Sequence, residues 1–136
     1  MIEDIPNNMG LFLVPTLPQM TLVLGASNNS DRYSYKAVYR LQSHGLSVIP
    51  VGVKKGEVAG LPILNHWPVG EEVDTVTLYI NPSLQQHYYQ NILAMKPRRV
   101  IFNPGTENEE FEKLLRNAGI EPIVACTLML LASGHY

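Results

Sequence analysis

The sequence predicts an α/β fold, a single domain whose mostly parallel sheet of five to six strands carries helices on both faces. Three observations lead to this prediction. Strand-like apolar segments alternate with helix-like segments, as in a parallel sheet with crossover helices. The first strand ends in a turn of small residues that leads into a helix. The length of 136 residues and the hydrophobic content of 46% suffice for one sizeable core but not for two ordinary domains.

The strands follow from short apolar runs bounded by turn residues. In chain order they are Met20–Gly25, Leu46–Val51, a short extra strand at Leu61–Leu64, Thr75–Ile80, Arg99–Phe102 and Glu121–Ala125. If the extra strand lies at the edge beyond Leu46–Val51, the next strand, Thr75–Ile80, has to lie on the other side of the first strand. The strand order then reverses between the first strand and Thr75–Ile80, and a crevice opens there at the carboxyl ends. The residues expected near it are Gly25, Pro50, Asn81 and Asn103.

The helices follow from capping residues and apolar spacing. A helix-like run covers residues 33–44. The next helix has Asn81 as its N-cap and Pro82 in its first turn, with an inner face of Leu84, Tyr88 and Leu93. The last predicted long helix has capping-box spacing at Thr106 and Glu109 and ends before a C-cap glycine, Gly119. Its inner face is Phe111, Leu114, Leu115 and Ala118.

The turn after the first strand predicts a nucleotide cofactor. A strand, a tight turn and a helix N-terminus bring backbone N–H groups and the positive end of a helix dipole together, which favours phosphate groups. Gly25 is the only glycine of the turn, whereas a dinucleotide-binding turn has three, and no acid follows the second strand to bind a ribose hydroxyl. Lys54 and Lys55 follow instead and suit a ribose phosphate. NADP and coenzyme A both remain open at this point.

Six motifs in order resemble a known family: small, stand-alone CoA-binding proteins whose Rossmann domain is similar to the N-terminal domain of the succinyl-CoA synthetase α subunit. The matching segments are Leu24–Ser27, Arg32–Val38, Val48–Val51, Val76–Pro82, Asn103–Asn108 and Ala125–Leu128. The resemblance implies a Rossmann-like, CoA-binding domain over residues 20–136, and coenzyme A as the cofactor.

The resemblance also implies how coenzyme A would lie. Its pyrophosphate would cover the first turn and the start of the following helix, at Gly25, Ala26, Ser27, Arg32, Tyr33 and Ser34. Its adenosine end would lie near Pro50 and Val51, with a phosphate contact from Lys54 or Lys55. Its pantetheine arm would pass Asn81, Pro82, Pro104 and Gly105. The family often has Asn-Pro-Lys where this chain has Gly52-Val53-Lys54.

The sequence offers no convincing catalytic or metal site. The four histidines are scattered without metal-ligand spacing, and a single cysteine, Cys126, gives no zinc cluster. We expect Cys126 to be a buried structural residue, although a helix N-terminus after it would favour its thiolate. Glu107 is an acid at a helix start, where it stabilises the dipole without chemistry. We therefore expect a protein that is not an enzyme.

The composition and the first segment indicate which partners and which location to expect. A net charge of −2 gives no basic field for nucleic acid. The segment Met1–Gln19 starts with acids, and its apolar run is far shorter than a membrane span, so we interpret it as an arm that lies against the fold or a partner subunit. The lone cysteine fits a reducing compartment, and we expect a cytoplasmic location.

These observations predict non-catalytic binding of coenzyme A or acyl-CoA, as a carrier, sensor or regulatory partner. One alternative is an NADP-dependent oxidoreductase or redox sensor, and another is a subunit that binds an acyl-CoA enzyme. Whether the chain forms a homo-oligomer stays open.

Overall fold

The computed structural model describes residues 19–136, which form an α/β domain around one parallel sheet. Its strands are β1 (Met20–Leu24), β2 (Ser47–Val51), β5 (Thr75–Leu78), β6 (Arg99–Phe102) and β7 (Glu121–Val124). They pair in the order β2-β1-β5-β6-β7, all parallel. The predicted Rossmann-like fold class is therefore confirmed, and so is the reversal of strand order between β1 and β5.

Helices cover both faces of this sheet because its strands are apolar on both sides. One face packs against α1 (Tyr33–Ser43) and α5 (Thr127–Ser133), through side chains such as Val23, Val38 and Leu131. The other face packs against three helical segments and holds the larger core. They are α2 (Pro82–Gln85) with a following 3₁₀ turn (Gln86–Tyr88), α3 (Tyr89–Met95) and α4 (Glu109–Asn117). The inner strands β1 and β5 are buried on both sides, as expected for a parallel sheet.

The short extra strand is placed wrongly by the sequence prediction. Leu61–Pro62 forms β4, which pairs antiparallel with β3 (Glu57–Val58) in a separate two-stranded sheet. Only Leu64 meets β2, in an isolated parallel bridge with Val51. Two residues between β3 and β4, Ala59 and Gly60, have positive φ and reverse the chain, which makes a hairpin instead of an edge strand.

The second helical region differs from its prediction in the face that it buries. The Asn81 cap is confirmed, because its side chain accepts a hydrogen bond from the Leu84 N–H. However, the 3₁₀ turn changes the helical phase, so that Gln85 and Ile92 are buried, whereas Leu84 is 47% exposed. Tyr88 and Leu93 are only half-buried.

The prediction for α4 is right in its core and wrong at its start. The N-cap is Asn108, whose side chain accepts from the Phe111 N–H, and not Thr106. Phe111 and Leu115 are buried, but Leu114 and Ala118 are exposed. Gly119 follows the helix with φ +79°, as a C-terminal glycine should.

The arm predicted at Met1–Gln19 lies outside the described residues except for Gln19. Within residues 19–136, the helices are too short or too polar to span a bilayer.

Candidate functional site

A cleft of about 770 Å³ opens at the carboxyl ends of the strands, at the reversal between β1 and β5. Four segments contribute most of its walls: the turn from β1 into α1, the loop after β2, the loop after β5 and the loop after β6. The lining residues are Leu24, Gly25, Ala26, Ser27, Asn28, Asp31, Arg32, Tyr33, Ser34, Gly52, Val53, Lys54, Tyr79, Ile80, Asn81, Leu84, Tyr88, Pro104, Gly105 and Thr106.

The turn after β1 is held in place by close packing and by two backbone hydrogen bonds. Gly25 has φ +99°, and a Cβ there would lie 2.9 Å from Ile80 Cγ2 and 3.0 Å from the Tyr79 carbonyl oxygen. The N–H groups of Gly25 and Ala26 both donate to the Val51 carbonyl oxygen, each at 2.9 Å. We predicted unpaired N–H groups in this turn, and for these two residues that prediction is wrong, because the end of β2 already accepts from both.

The free donors lie one step further on, at the N-terminus of α1. Its N-cap is Arg32, which has extended backbone angles and makes no side-chain capping bond. The first turn contains no acid, and the N–H groups of Tyr33, Ser34 and Tyr35 have no acceptor within residues 19–136. Arg32, Tyr33 and Ser34 line the cleft, so this helix end offers it hydrogen-bond donors and positive potential.

The loop after β2 brings a lysine to the cleft. Gly52 has to be glycine, because a Cβ there would overlap the Ala26 carbonyl oxygen. The Asn65 Nδ2 donates to the carbonyl oxygens of Gly52 at 2.8 Å and Lys54 at 3.0 Å. These two hydrogen bonds between the loops fix the backbone at Lys54, which lines the cleft, whereas Lys55 does not line it.

A smaller hollow of about 330 Å³ adjoins the cleft and shares Gly52, Val53 and Tyr88 with it. Its other lining residues are Val51, Asn65, His66 and Trp67. The rings of Trp67 and Tyr88 lie 5.9 Å apart and are tilted by 40°. This hollow is therefore an aromatic-walled extension of the cleft at Gly52 and Val53. Pro50 lines neither space, and its carbonyl oxygen accepts the Leu64 N–H.

The opposite wall is held by internal hydrogen bonds. Asn81 Oδ1 accepts from the Leu84 N–H at 3.1 Å and from the Ser83 hydroxyl at 2.7 Å, so it caps α2. The Gly105 N–H donates to Glu107 Oε1 at 2.9 Å, and Gln85 Nε2 donates to the Thr106 carbonyl oxygen at 2.8 Å. Pro104 and Gly105 line the cleft as an exposed rim, and Pro82 does not line it.

Asn103, which we expected near the crevice, is buried beneath it. Its Nδ2 donates to Thr77 Oγ1 at 2.6 Å and to the Leu78 carbonyl oxygen at 2.8 Å, and its Oδ1 accepts from the Thr127 N–H at 2.8 Å. Asn103 thereby ties β5 and β6 to the start of α5. Cys126 is the half-buried N-cap of α5 and lies outside the cleft lining. Burial raises the pKa of the Tyr79 phenol to about 12, so that side chain stays neutral.

Among the residues predicted for the site, all but Pro50, Val51, Lys55 and Pro82 line the cleft, and Val51 lines the adjoining hollow. Most of the cleft residues that we missed are sequence neighbours of the predicted ones. Tyr88 in the cleft and Trp67 in the adjoining hollow are the exceptions. No local sequence signal connects these two residues, because they lie 21 positions apart in the chain. Within the described part of the chain, His, Cys, Asp and Glu form no group of three that suits a metal ion.

The sequence matches a family described as a CoA binding domain, over residues 19–132. The crystal structure of an uncharacterized protein is 56% identical, with a TM-score of 0.86, over 89% of this chain and 100% of that one. A Thermus thermophilus protein is 27% identical, with a TM-score of 0.77, over 88% and 91% of the two chains. A hypothetical protein from Pyrococcus horikoshii is 24% identical and shares the fold, with a TM-score of 0.75 over 84% and 81%.

Proposed function

The chain belongs to the CoA-binding domain family, and we propose that it binds coenzyme A, free or as an acyl-CoA, without catalysing a reaction on it. The cleft at the carboxyl edge of the sheet is the proposed site. In this proposal the protein serves as a carrier, a sensor or a regulatory partner in the cytoplasm.

The uncapped start of α1 carries this proposal. Three backbone N–H groups, at Tyr33, Ser34 and Tyr35, lie at the positive end of an eleven-residue helix and have no acceptor in the described part of the chain. Such a helix end favours phosphate oxygens, and Arg32 adds a formal charge beside it. The pyrophosphate of coenzyme A supplies the acceptors that this helix end lacks.

The loop after β2 supports a position for the adenosine end. From a pyrophosphate at α1, the adenine would enter the aromatic hollow and pack against Trp67 and Tyr88. Lys54 lines the cleft next to Gly52 and Val53, which line both spaces, and would pair with the ribose 3′-phosphate. Lys55 does not line the cleft, so of the two lysines predicted for the phosphate contact we propose Lys54 alone.

The rim at Pro104 and Gly105 supports a path for the pantetheine arm. Ile80, Leu84 and Pro104 offer apolar surface along the opposite half of the cleft. The Asn81 side-chain oxygen is already occupied as a helix cap, so Asn81 would shape this path more than bind the ligand.

The chemistry of the cleft favours binding over catalysis. Glu107, the acid closest to the rim loop, accepts from the Gly105 N–H, and Cys126 stands outside the lining. Neither forms a nucleophile–base pair with a histidine among the described residues. We expect no thioesterase, ligase or dehydrogenase turnover above a no-protein control with acetyl-CoA or NADPH. Turnover that Cys126→Ala or Glu107→Gln abolishes would contradict this part of the proposal.

The test is a calorimetric titration of the full chain with three ligands. Coenzyme A should bind about fivefold tighter than dephospho-CoA, because a charge-assisted phosphate contact from the exposed Lys54 contributes about 1 kcal/mol. NADP, which carries its phosphate on the 2′ position, should bind more weakly than coenzyme A. Tighter binding of NADP would favour the oxidoreductase alternative and overturn the assignment to coenzyme A.

A further inference from the structure

Asn65 is a polar residue at the hollow that adjoins the cleft. It follows Leu64, whose N–H donates to the Pro50 carbonyl oxygen and whose carbonyl oxygen accepts from the Gly52 N–H, each at 2.9 Å. These bonds hold Asn65 beside the loop after β2, where it lines the hollow together with Trp67. The position of Asn65 at the hollow is therefore set by the backbone of the fold.

The orientation of the Asn65 amide is determined by its own hydrogen bonds. Its Nδ2 donates to the carbonyl oxygens of Gly52 at 2.8 Å and Lys54 at 3.0 Å. A carbonyl oxygen only accepts, so the NH₂ group has to face these two atoms, and exchanging Nδ2 and Oδ1 would bring three acceptors together. Both amide hydrogens are thus used, and Oδ1 has no donor in the described part of the chain. The Asn65 side chain can offer a ligand an acceptor and nothing else.

The other groups around the hollow do not distinguish a donor from an acceptor in the same way. The Val51 carbonyl oxygen already accepts from two N–H groups of the turn after β1, and Gly52 uses both its N–H and its carbonyl oxygen. His66 has one donor and one acceptor nitrogen when it is neutral, so it suits either kind of partner. Trp67 and Tyr88 supply aromatic walls, which suit a planar ring. Selection by hydrogen bonding therefore falls to Asn65.

A group that pairs with Asn65 Oδ1 has to be a donor. Adenine carries an amino group at position 6, which donates, whereas hypoxanthine and guanine carry a carbonyl oxygen there, which accepts. We propose that Asn65 Oδ1 accepts from the adenine 6-amino group and makes the site selective for 6-aminopurine nucleotides over 6-oxopurine nucleotides. This inference rests on the proposed binding of coenzyme A with its adenine in the hollow. Asn65 then has two roles, since Nδ2 holds the loop that carries Lys54 and Oδ1 selects the base.

Calorimetric titration of the full chain with coenzyme A and two base analogues tests this selection. The analogue with a hydrogen at position 6 loses the donor and should bind about fivefold more weakly than coenzyme A. The hypoxanthine analogue brings two acceptors together and should bind about tenfold or more weakly. Equal affinities for coenzyme A and the hypoxanthine analogue would overturn the base selection and leave the coenzyme A site standing. An absence of coenzyme A binding would instead refute the proposed function, and the base selection with it.

Two matched variants separate base selection from the support of the loop. Asn65→Asp and Asn65→Ala both lose the two donors to the loop, so both should weaken coenzyme A. Asn65→Asp keeps side-chain acceptors and should keep a preference of about tenfold for coenzyme A over the hypoxanthine analogue. Asn65→Ala has no acceptor, and its preference should fall to about twofold or less. Equal preferences in the two variants would show that Asn65 only positions the loop, and would overturn the proposal. The titrations of the unaltered chain decide the question even if a variant fails to fold.

Discussion

Two helices begin at the carboxyl edge of the same sheet, and their first turns are built in opposite ways. α4 has a side-chain cap, because Asn108 Oδ1 accepts the Phe111 N–H at 3.1 Å, and three acids follow in its first turn. α1 has Arg32 at the same position, no side-chain cap and no acid in the first turn. In α4 the cap and the acids therefore compensate the N–H donors and the positive end of the helix dipole, whereas in α1 the donors and the dipole face the cleft without such compensation.

The difference also extends to how each helix is anchored. Asn108 Nδ2 donates to Gln85 Oε1 and to the Tyr89 hydroxyl, each at 2.8 Å, so that the cap is part of a buried network. Around the start of α1 the side-chain bonds are short-range, from the Asn29 N–H to Ser27 Oγ and from the Asp31 N–H to Asn29 Oδ1. A helix end that a protein needs for stability is closed internally, and a helix end kept for an anion is left open. This comparison predicts that variants at the two ends separate stability from ligand binding.

The largest effect is expected where the chain turns into α1. Gly25→Ala should lower the free energy of unfolding by about 2–4 kcal/mol, because it adds strain at φ +99° and a contact of 2.9 Å with Ile80 Cγ2. Gly45→Ala is the matched control, since Gly45 follows the same helix with φ +78° and open space around its Cβ position, and it should cost about 1 kcal/mol. Urea denaturation measures both. Equal losses would show that packing against Tyr79 and Ile80, in the loop after β5, does not constrain the turn.

Part of this site could be predicted from the sequence, and part could not. The apolar runs did reveal the strand order and the position of the cleft, because a parallel sheet buries its strands on both sides. They did not reveal that the Val51 carbonyl oxygen accepts from the N–H groups of both Gly25 and Ala26, since these contacts span 26 and 25 residues of chain. They also missed Gln85, a polar residue that is fully buried because Asn108, Ile80 and Thr106 satisfy its amide.

The next effect is expected at the closed helix end. Asn108→Ala should lower the free energy of unfolding by about 1–3 kcal/mol, because it removes the cap and leaves the buried Gln85 Oε1 without its Asn108 donor. Arg32→Ala, at the equivalent position of α1, should change that free energy by about 0.5 kcal/mol or less, since its side chain is exposed and caps nothing. Thermal and urea unfolding measure the pair. A larger loss at Arg32 than at Asn108 would reverse the comparison.

A smaller effect is expected on ligand binding when one donor of the open helix end is deleted. Tyr33 is the first helical residue, and Arg32 before it has φ −81° and ψ 142°, which suits a residue before proline. Tyr33→Pro should therefore keep the fold, remove one N–H and weaken coenzyme A by about tenfold, the equivalent of about 1.4 kcal/mol. Tyr33→Ala removes the same exposed ring and keeps the N–H, so it isolates the donor. Equal affinities of the two variants would exclude a phosphate contact at this N–H.

The smallest effect is expected at Lys54, where the open helix end would share the ligand with an exposed side chain. A charge-assisted contact with the ribose 3′-phosphate contributes at most roughly 1.5–3 kcal/mol, and solvent exposure lowers this to about 1 kcal/mol, or about fivefold in affinity. Lys54→Ala should weaken coenzyme A by that factor and leave dephospho-CoA unchanged. Lys55→Ala is its matched control, because Lys55 carries the same charge one residue away and does not line the cleft, so it should leave the affinity for both ligands unchanged.

Because a salt-screened contact weakens with ionic strength, the Lys54 effect should also shrink between 50 mM and 500 mM NaCl, whereas the loss of affinity in Tyr33→Pro should persist. Calorimetry with both ligands at both salt concentrations measures this. Equal losses for coenzyme A and dephospho-CoA would place the Lys54 contact away from the 3′-phosphate, and a Lys55 effect as large as that of Lys54 would mean that only the general charge of the loop matters.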